Sequence, residues 1–209
     1  MALIHRATLS PSKLELLTGW LPSREWFTGE AAVRQLGSYR FDDPDGEVGM
    51  EGFLLQGPDG SVLHVPLTYR GAPLAHAEDF LVGTMEHSVL GTRSVYDGCG
   101  DPVWVTALLT AVLTGGTQAE EFVDMDGHLE PRAATATVVG SGTPGMHVGP
   151  VGAVSCLDEG RTTMVRTDGF ELVVVRAVGA EVSGEQTLTG SWGDGGPAVL
   201  AGVRSLETA

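Results

Sequence analysis

The stretch "TMEHSVLGTRSVYDGCGDPVW", residues 84–104, gathers Glu86, His87, Arg93, Tyr96, Asp97 and Asp101 into one short run. A Glu–His pair is the raw material of general acid–base catalysis, and an arginine with an aspartate could hold a polar substrate, which together would suit a hydrolase or an isomerase. The spacing favours a structural role. Residues 80–90 read as a strand, where neighbours point to opposite faces, so Glu86 and His87 are poorly placed to share a proton. Leu90-Gly91 and Asp97-Gly98 read as turn pairs, and Asp101-Pro102 as the N-cap and first residue of a helix. Arg93 can tie carboxylates or carbonyls across the loop. The cluster is expected to organise a strand, a loop and a helix, with its exposed members open to partner recognition.

Other chemistry finds weaker support. "GSGTPG", residues 140–145, spells GxGxxG after a strand-like run, but the following "MHVGPVGAV" cannot be the helix whose amides would hold a pyrophosphate, so a flexible loop is expected. The acidic turn "DDPDGE" offers Asp42, Asp43, Asp45 and Glu47 to a hard cation, yet Pro44-Asp45-Gly46 suits a tight turn and EF-hand spacing is absent. Six histidines show neither HxH nor HExxH spacing, and Ser155 in "AVSC" lacks a nucleophile elbow. Cys99 and Cys156 form no CxxC and read as reduced structural thiols. No cofactor or metal is expected. Lys13 is the single lysine among twelve basic residues, which leaves a P-loop or a kinase β3 strand without its phosphate-gripping amine.

The elements that must position these groups are mostly strands. In 209 residues, 30 Gly and 11 Pro beside 6% aromatics favour short strands and tight turns over a helical bundle. Ser10 and Pro11 are expected to open a short helix carrying Leu14, Leu17 and Leu21 at helical spacing, which Pro22 stops. "LGSYRF", "VGMEGFLLQ" and "SVLHVPLTY" then form a meander, with Leu63, Val65, Leu67 and Tyr69 facing inward and Pro66 suggesting an edge strand. "DPVWVTALLTAVLTGG" is the clearest helix, so apolar that it must be buried on more than one face. Beyond it come Val-, Thr- and Gly-rich strands, with an Asp126-Gly127 hairpin turn and further runs at 146–157, 161–166, 169–178, 185–193 and 198–204, expected to be all antiparallel. The expected fold class is α+β and β-rich. The chain is read as one compact domain, 1–209, softly divided into a meander with helices (1–116) and an antiparallel β region (117–209).

A formal charge of −15 opposes nucleic acid and anionic membranes, and no segment has signal-peptide or membrane-span character, so a cytoplasmic location and a less acidic partner are expected.

Five segments resemble the N-terminal cap domain of bacterial maltokinase-type sugar kinases, in its stand-alone, cap-like form. They are "LSPSKLELLTGWLPSREWF", "LGSYRFDDPDGEVGMEGFLL", "VPLTYRGAPL", "GTMEHSVLGTRSVYDGCGDPVWVTALL" and "LTGSWGDGGPAVLAGVR", with Val89 to Pro102 the most specific piece. The resemblance implies a cystatin-like curved antiparallel sheet with two helices in the N-terminal half. It also implies a non-catalytic interaction or regulatory module in trehalose, maltose or glycogen metabolism, with a sugar kinase or a trehalose synthase-type enzyme as partner. Neither kinase lobe is present in these residues: they contain no HxD loop, no DFG-type aspartate and no β3 lysine, so no catalytic residue carries over. A sugar- or metabolite-binding protein is the first alternative, with Trp20, Trp26, Trp104 and Trp192 as platforms. A hydrolase or isomerase using Glu86, His87 and Asp97 is the second.

Overall fold

The computed structural model describes residues 1–30, 32–125 and 128–206. The chain opens with two short strands, β1 (Ala2–Ile4) and β2 (Leu9–Ser10), before helix α1 (Lys13–Trp20). The helix begins two residues later than expected, because Ser10 is spent on pairing β2 with Glu86. Ser12 is the N-cap: its hydroxyl accepts from the Glu15 amide and the Glu15 carboxylate accepts from the Ser12 amide, a reciprocal capping box.

The expected meander follows as β3 (Arg34–Phe41), β4 (Gly49–Gln56) and β5 (Val62–Arg70), then β6 (Leu81–His87) and β7 (Gly91–Asp97). They form an antiparallel sheet in the order β2-β6-β7-β5-β4-β3, so β5 is interior rather than an edge strand. Pro66 is tolerated there for a local reason. Amides two apart face the same edge, and the neighbouring His64 amide donates to the Arg176 carbonyl, while β7 starts its pairing only at Leu67 opposite Asp97. Pro66 thus sits in a gap where no amide is required.

Helix α2 (Pro102–Thr114) takes Asp101 as N-cap, Pro102 at its first position and Gly115 at φ 68° beyond its end, as the sequence indicates. Next come β8 (Glu121–Met125), β9 (His128–Arg132), β10 (Ala136–Gly140), β11 (Ser155–Glu159), β12 (Thr162–Arg166), β13 (Phe170–Val175), β14 (Gln186–Trp192) and β15 (Gly195–Ser205). The Asp126-Gly127 turn lies outside the described residues. Strands β10 to β15 make a second antiparallel sheet in the order β10-β14-β15-β13-β12-β11. The second half is not wholly antiparallel, however: β8 pairs in parallel with β1 and antiparallel with β9.

Residues 141–154 are not the strand expected from 146 onward but a mostly exposed loop, tied down at its start. The Gly142 and Thr143 amides donate to the Val112 and Leu113 carbonyls, satisfying the C-terminal end of α2. Glycine is required on this approach, since a Cβ on Gly140 would overlap the Ala111 carbonyl oxygen.

Helix α2 is the centre of the molecule. Trp104, Val105, Leu108, Leu109 and Val112 meet Tyr39, Met50 and Leu54 of the first sheet and Val165, Leu172, Leu188 and Leu200 of the second in one apolar cluster. The opposite face of the first sheet receives α1: Leu17, Trp20, Leu21, Trp26 and Phe27 pack on Phe53, Leu55, Val65 and Leu67. The first sheet is therefore covered on both faces, which is why β4 and β5 are buried at nearly every position. No described helix is long and apolar enough to cross a membrane.

Candidate functional site

The six polar residues of segment 84–104 do not converge. Glu86 is exposed and accepts from the Thr92 hydroxyl at 2.7 Å. His87 accepts the Val89 and Leu90 amides on Nδ1, tying the β6–β7 turn, and its ring meets His5 edge-on. Arg93 donates to the Leu90 carbonyl at 2.7 Å, the carbonyl tie expected of it. Tyr96 is buried and its hydroxyl accepts the Leu74 amide at 2.9 Å. Glu86 faces Thr92 near one end of β7 and Asp97 lies at the other end. Five strand residues separate them by about 17 Å, too far to act on one substrate atom.

Asp97 and Asp101 are buried and fully employed. Asp101 caps α2 through the Val103 amide and binds Arg70 through both carboxylate oxygens, at 2.6 and 2.7 Å. Asp97 accepts the Cys99 amide and the Arg176 guanidinium at 2.5 Å. Arg176 is 1% exposed, donates to the Thr163 hydroxyl at 2.7 Å and lies over the Trp26 ring. Beside it His64 bridges the Val175 carbonyl and the Tyr39 hydroxyl. This network clamps the first sheet to the strands after α2, and it is sealed from solvent. Burial pushes the Cys99 thiol up, and the Cys156 thiol up to about 12. Both cysteines are free, with Cys156 Sγ donating to the Cys99 carbonyl.

The four tryptophans are buried, at 6%, 4%, 0% and 7% exposure for Trp20, Trp26, Trp104 and Trp192, so none offers a flat platform to a sugar. In the acidic turn, Asp43 accepts the Asp45, Glu47 and Val48 amides, which accounts for its carboxylate as turn chemistry. Among the described residues no three His, Cys, Asp or Glu side chains gather as metal ligands.

A cavity of about 620 Å³ lies between the N-terminal residues 1–9, the β8–β9 edge and the α1-side face of β3, β4 and β5, and of the six predicted residues His87 and Arg93 reach its lining. Its floor is Glu51, 6% exposed, whose Oε2 receives Lys13 Nζ, Arg40 at 3.1 Å and the Tyr69 hydroxyl at 3.3 Å. The Lys13 ammonium also lies 5.0 Å from the Tyr69 ring centre and 5.8 Å from that of Phe53. Burial pushes the Glu51 carboxyl up, but Arg40 and Lys13 together bring it below the usual carboxylate range. Burial likewise pushes the Lys13 ammonium down, and Glu51 offsets only part of that. Glu121 stands at the wall with Arg132 4.0 Å away, its carboxyl raised by burial. Sequence reasoning missed this group because its members lie at positions 13, 40, 51, 69, 121 and 132. The available signal was Glu51 itself, a lone carboxylate inside the apolar run "VGMEGFLLQ".

One segment of the chain, beginning at the last residue of α1, carries the meander, β6 and β7 together. Residues 20–101 match the maltokinase N-terminal cap domain. The cap-domain match therefore covers the specific run from Val89 nearly to its end, while the resembling segment Leu188 to Arg204 lies outside it. No curated protein matches the chain. Among solved structures, a glucosamine kinase in complex with glucosamine, ADP and inorganic phosphate aligns at 14% identity and a TM-score of 0.49. The alignment covers 94% of this chain and 41% of that kinase chain, so the chain spans less than half of its neighbour's length.

Proposed function

We propose that this protein is a non-catalytic, cap-like module that acts by docking on an enzyme of the sugar-kinase or trehalose-synthase type in trehalose, maltose or glycogen metabolism. Its first sheet with α1 and α2 serves as the cystatin-like unit of the cap. The family match over residues 20–101 supports the relationship. The observation that carries the non-catalytic reading is the employment of the acid–base candidates: Asp97 and Asp101 hold arginines in the interior, while Glu86 and His87 tie a turn. A charge of −15 steers the molecule toward a less acidic surface.

Two assays test this together. The purified chain with ATP, Mg²⁺ and a panel of saccharides should release no ADP and phosphorylate no sugar. Affinity capture from extract of the native cell should enrich an enzyme of the named type, released by raised salt. Phosphorylation of any saccharide would overturn the non-catalytic reading, and capture without such an enzyme would overturn the docking one.

A further inference from the structure

We propose that the cavity on the α1 side of the first sheet binds a small hydroxylated anion, a phosphate- or carboxylate-bearing metabolite, independently of any docking. The chain is strongly acidic, yet Lys13, Arg40, Arg93 and Arg132, four of its twelve basic residues, line this one cavity. The carboxylates facing them are largely committed. Glu51 receives three donors on one oxygen, Asp43 takes three amides of its own turn, and Asp42 meets the Met1 amino group. Over the whole lining Lys13, Arg40, Arg93, Arg132 and the Met1 amino group balance Asp42, Asp43, Glu47, Glu51 and Glu121, so an anion would be held by unspent N–H donors rather than by net charge.

Donor capacity, in contrast to charge, is in excess. A guanidinium has five N–H groups, and Arg40 spends one nitrogen on Glu51 while Arg132 stands 4.0 Å from Glu121, at the limit of an ion pair. Arg93 holds the Leu90 carbonyl through one nitrogen and keeps its buried Nε without a partner among the described residues. An anion entering the cavity would meet several directed donors in a partly desolvated setting, where charge-assisted hydrogen bonds are strongest. It would also restore to Lys13 the charge stabilisation that burial removes. The hydroxyl preference follows from the Gln35 amide oxygen and the Glu121 carboxylate on the same walls, since Ser38 already accepts from Gln35 Nε2 at 3.2 Å. About 620 Å³ suits a small metabolite rather than a polymer.

The test is calorimetric titration of the full chain at constant ionic strength with glucose 1-phosphate, gluconate, inorganic phosphate and glucose. Saturable binding of either anionic sugar, with glucose at least about tenfold weaker, is the expected result. The order of the phosphate and carboxylate arms identifies the anion. Arg132→Gln, at a half-exposed edge where folding is safe, should weaken binding about tenfold through one lost charge-assisted contact. Lys13→Met should weaken it at least as much, provided circular dichroism shows a folded chain. No saturable heat with either anionic sugar, equal affinity for glucose, or unchanged affinity in the folded variants would each overturn the proposal. The ATP and capture assays read neither outcome, so the two readings fail separately.

Discussion

Mild acid should destabilise this protein through one imidazole. His64 is fully buried, donates from Nδ1 to the Val175 carbonyl at 3.1 Å and accepts the Tyr39 hydroxyl on Nε2 at 2.9 Å. Both nitrogens are spent on the neutral ring. Burial first, and the Arg176 guanidinium second, push its pKa from 6.5 down to about 3. Below pH 6.5 the unfolded chain therefore binds a proton that the folded chain refuses, so this stability is full above 6.5 and is lost as the pH falls toward 3. One proton costs about 1.4 kcal/mol per pH unit, or about 2 kcal/mol between pH 6.5 and about pH 5. Glu171, held low by its bond from Arg166, and Glu51, held low against burial by Arg40 and Lys13, lose their contributions only below the ordinary carboxylate range. Glu121 is raised by burial and so acts in the opposite sense, its contribution present at low pH and lost as the pH rises. Urea unfolding of the wild type and His64→Gln across this interval isolates the imidazole. The wild type should lose about 2 kcal/mol more than the variant. Parallel losses in the two proteins would refute the reasoning.

Arg176→Met should cost about 3 to 5 kcal/mol in urea unfolding, because it strands the buried Asp97 carboxylate, and adding Asp97→Asn should recover part of that loss. Asp101→Ala removes both the cap of α2 and the two-point partner of Arg70, for about 2 to 4 kcal/mol by the same assay. Gly140→Ala drives a methyl into the backbone of α2 and should lower the thermal midpoint by an amount equivalent to about 1 to 3 kcal/mol. Glu86→Gln, in contrast, removes one exposed contact to Thr92 and should shift stability by less than about 0.5 kcal/mol.

Local rules carried much of the fold. Asp101, Pro102 and Gly115 mark the ends of α2, and its apolar body announces a helix wedged between two sheets. The meander is equally legible in the alternation of Leu63, Val65 and Leu67. The Ser12–Glu15 capping box was present too, but Ser10-Pro11 presented a competing start that strand pairing with Glu86 decides against. Long-range pairing was out of reach. Three residues of β1 find Glu121 to Val123 more than a hundred positions away, and nothing local in "ALI" points there. The same distance hides the sites. Arg176 inside "ELVVVRAV" and Glu51 inside "VGMEGFLLQ" show that a charge must be matched, yet their partners Asp97, Lys13 and Arg40 are set by topology alone.

The docking claim is tested most directly by sedimentation of the purified chain mixed with a maltokinase-type sugar kinase and, separately, with a trehalose synthase from the same cell. A faster-sedimenting complex with one of them, dissociating as salt is raised, is the predicted result. Independent sedimentation of all components at about 100 μM would contradict the account.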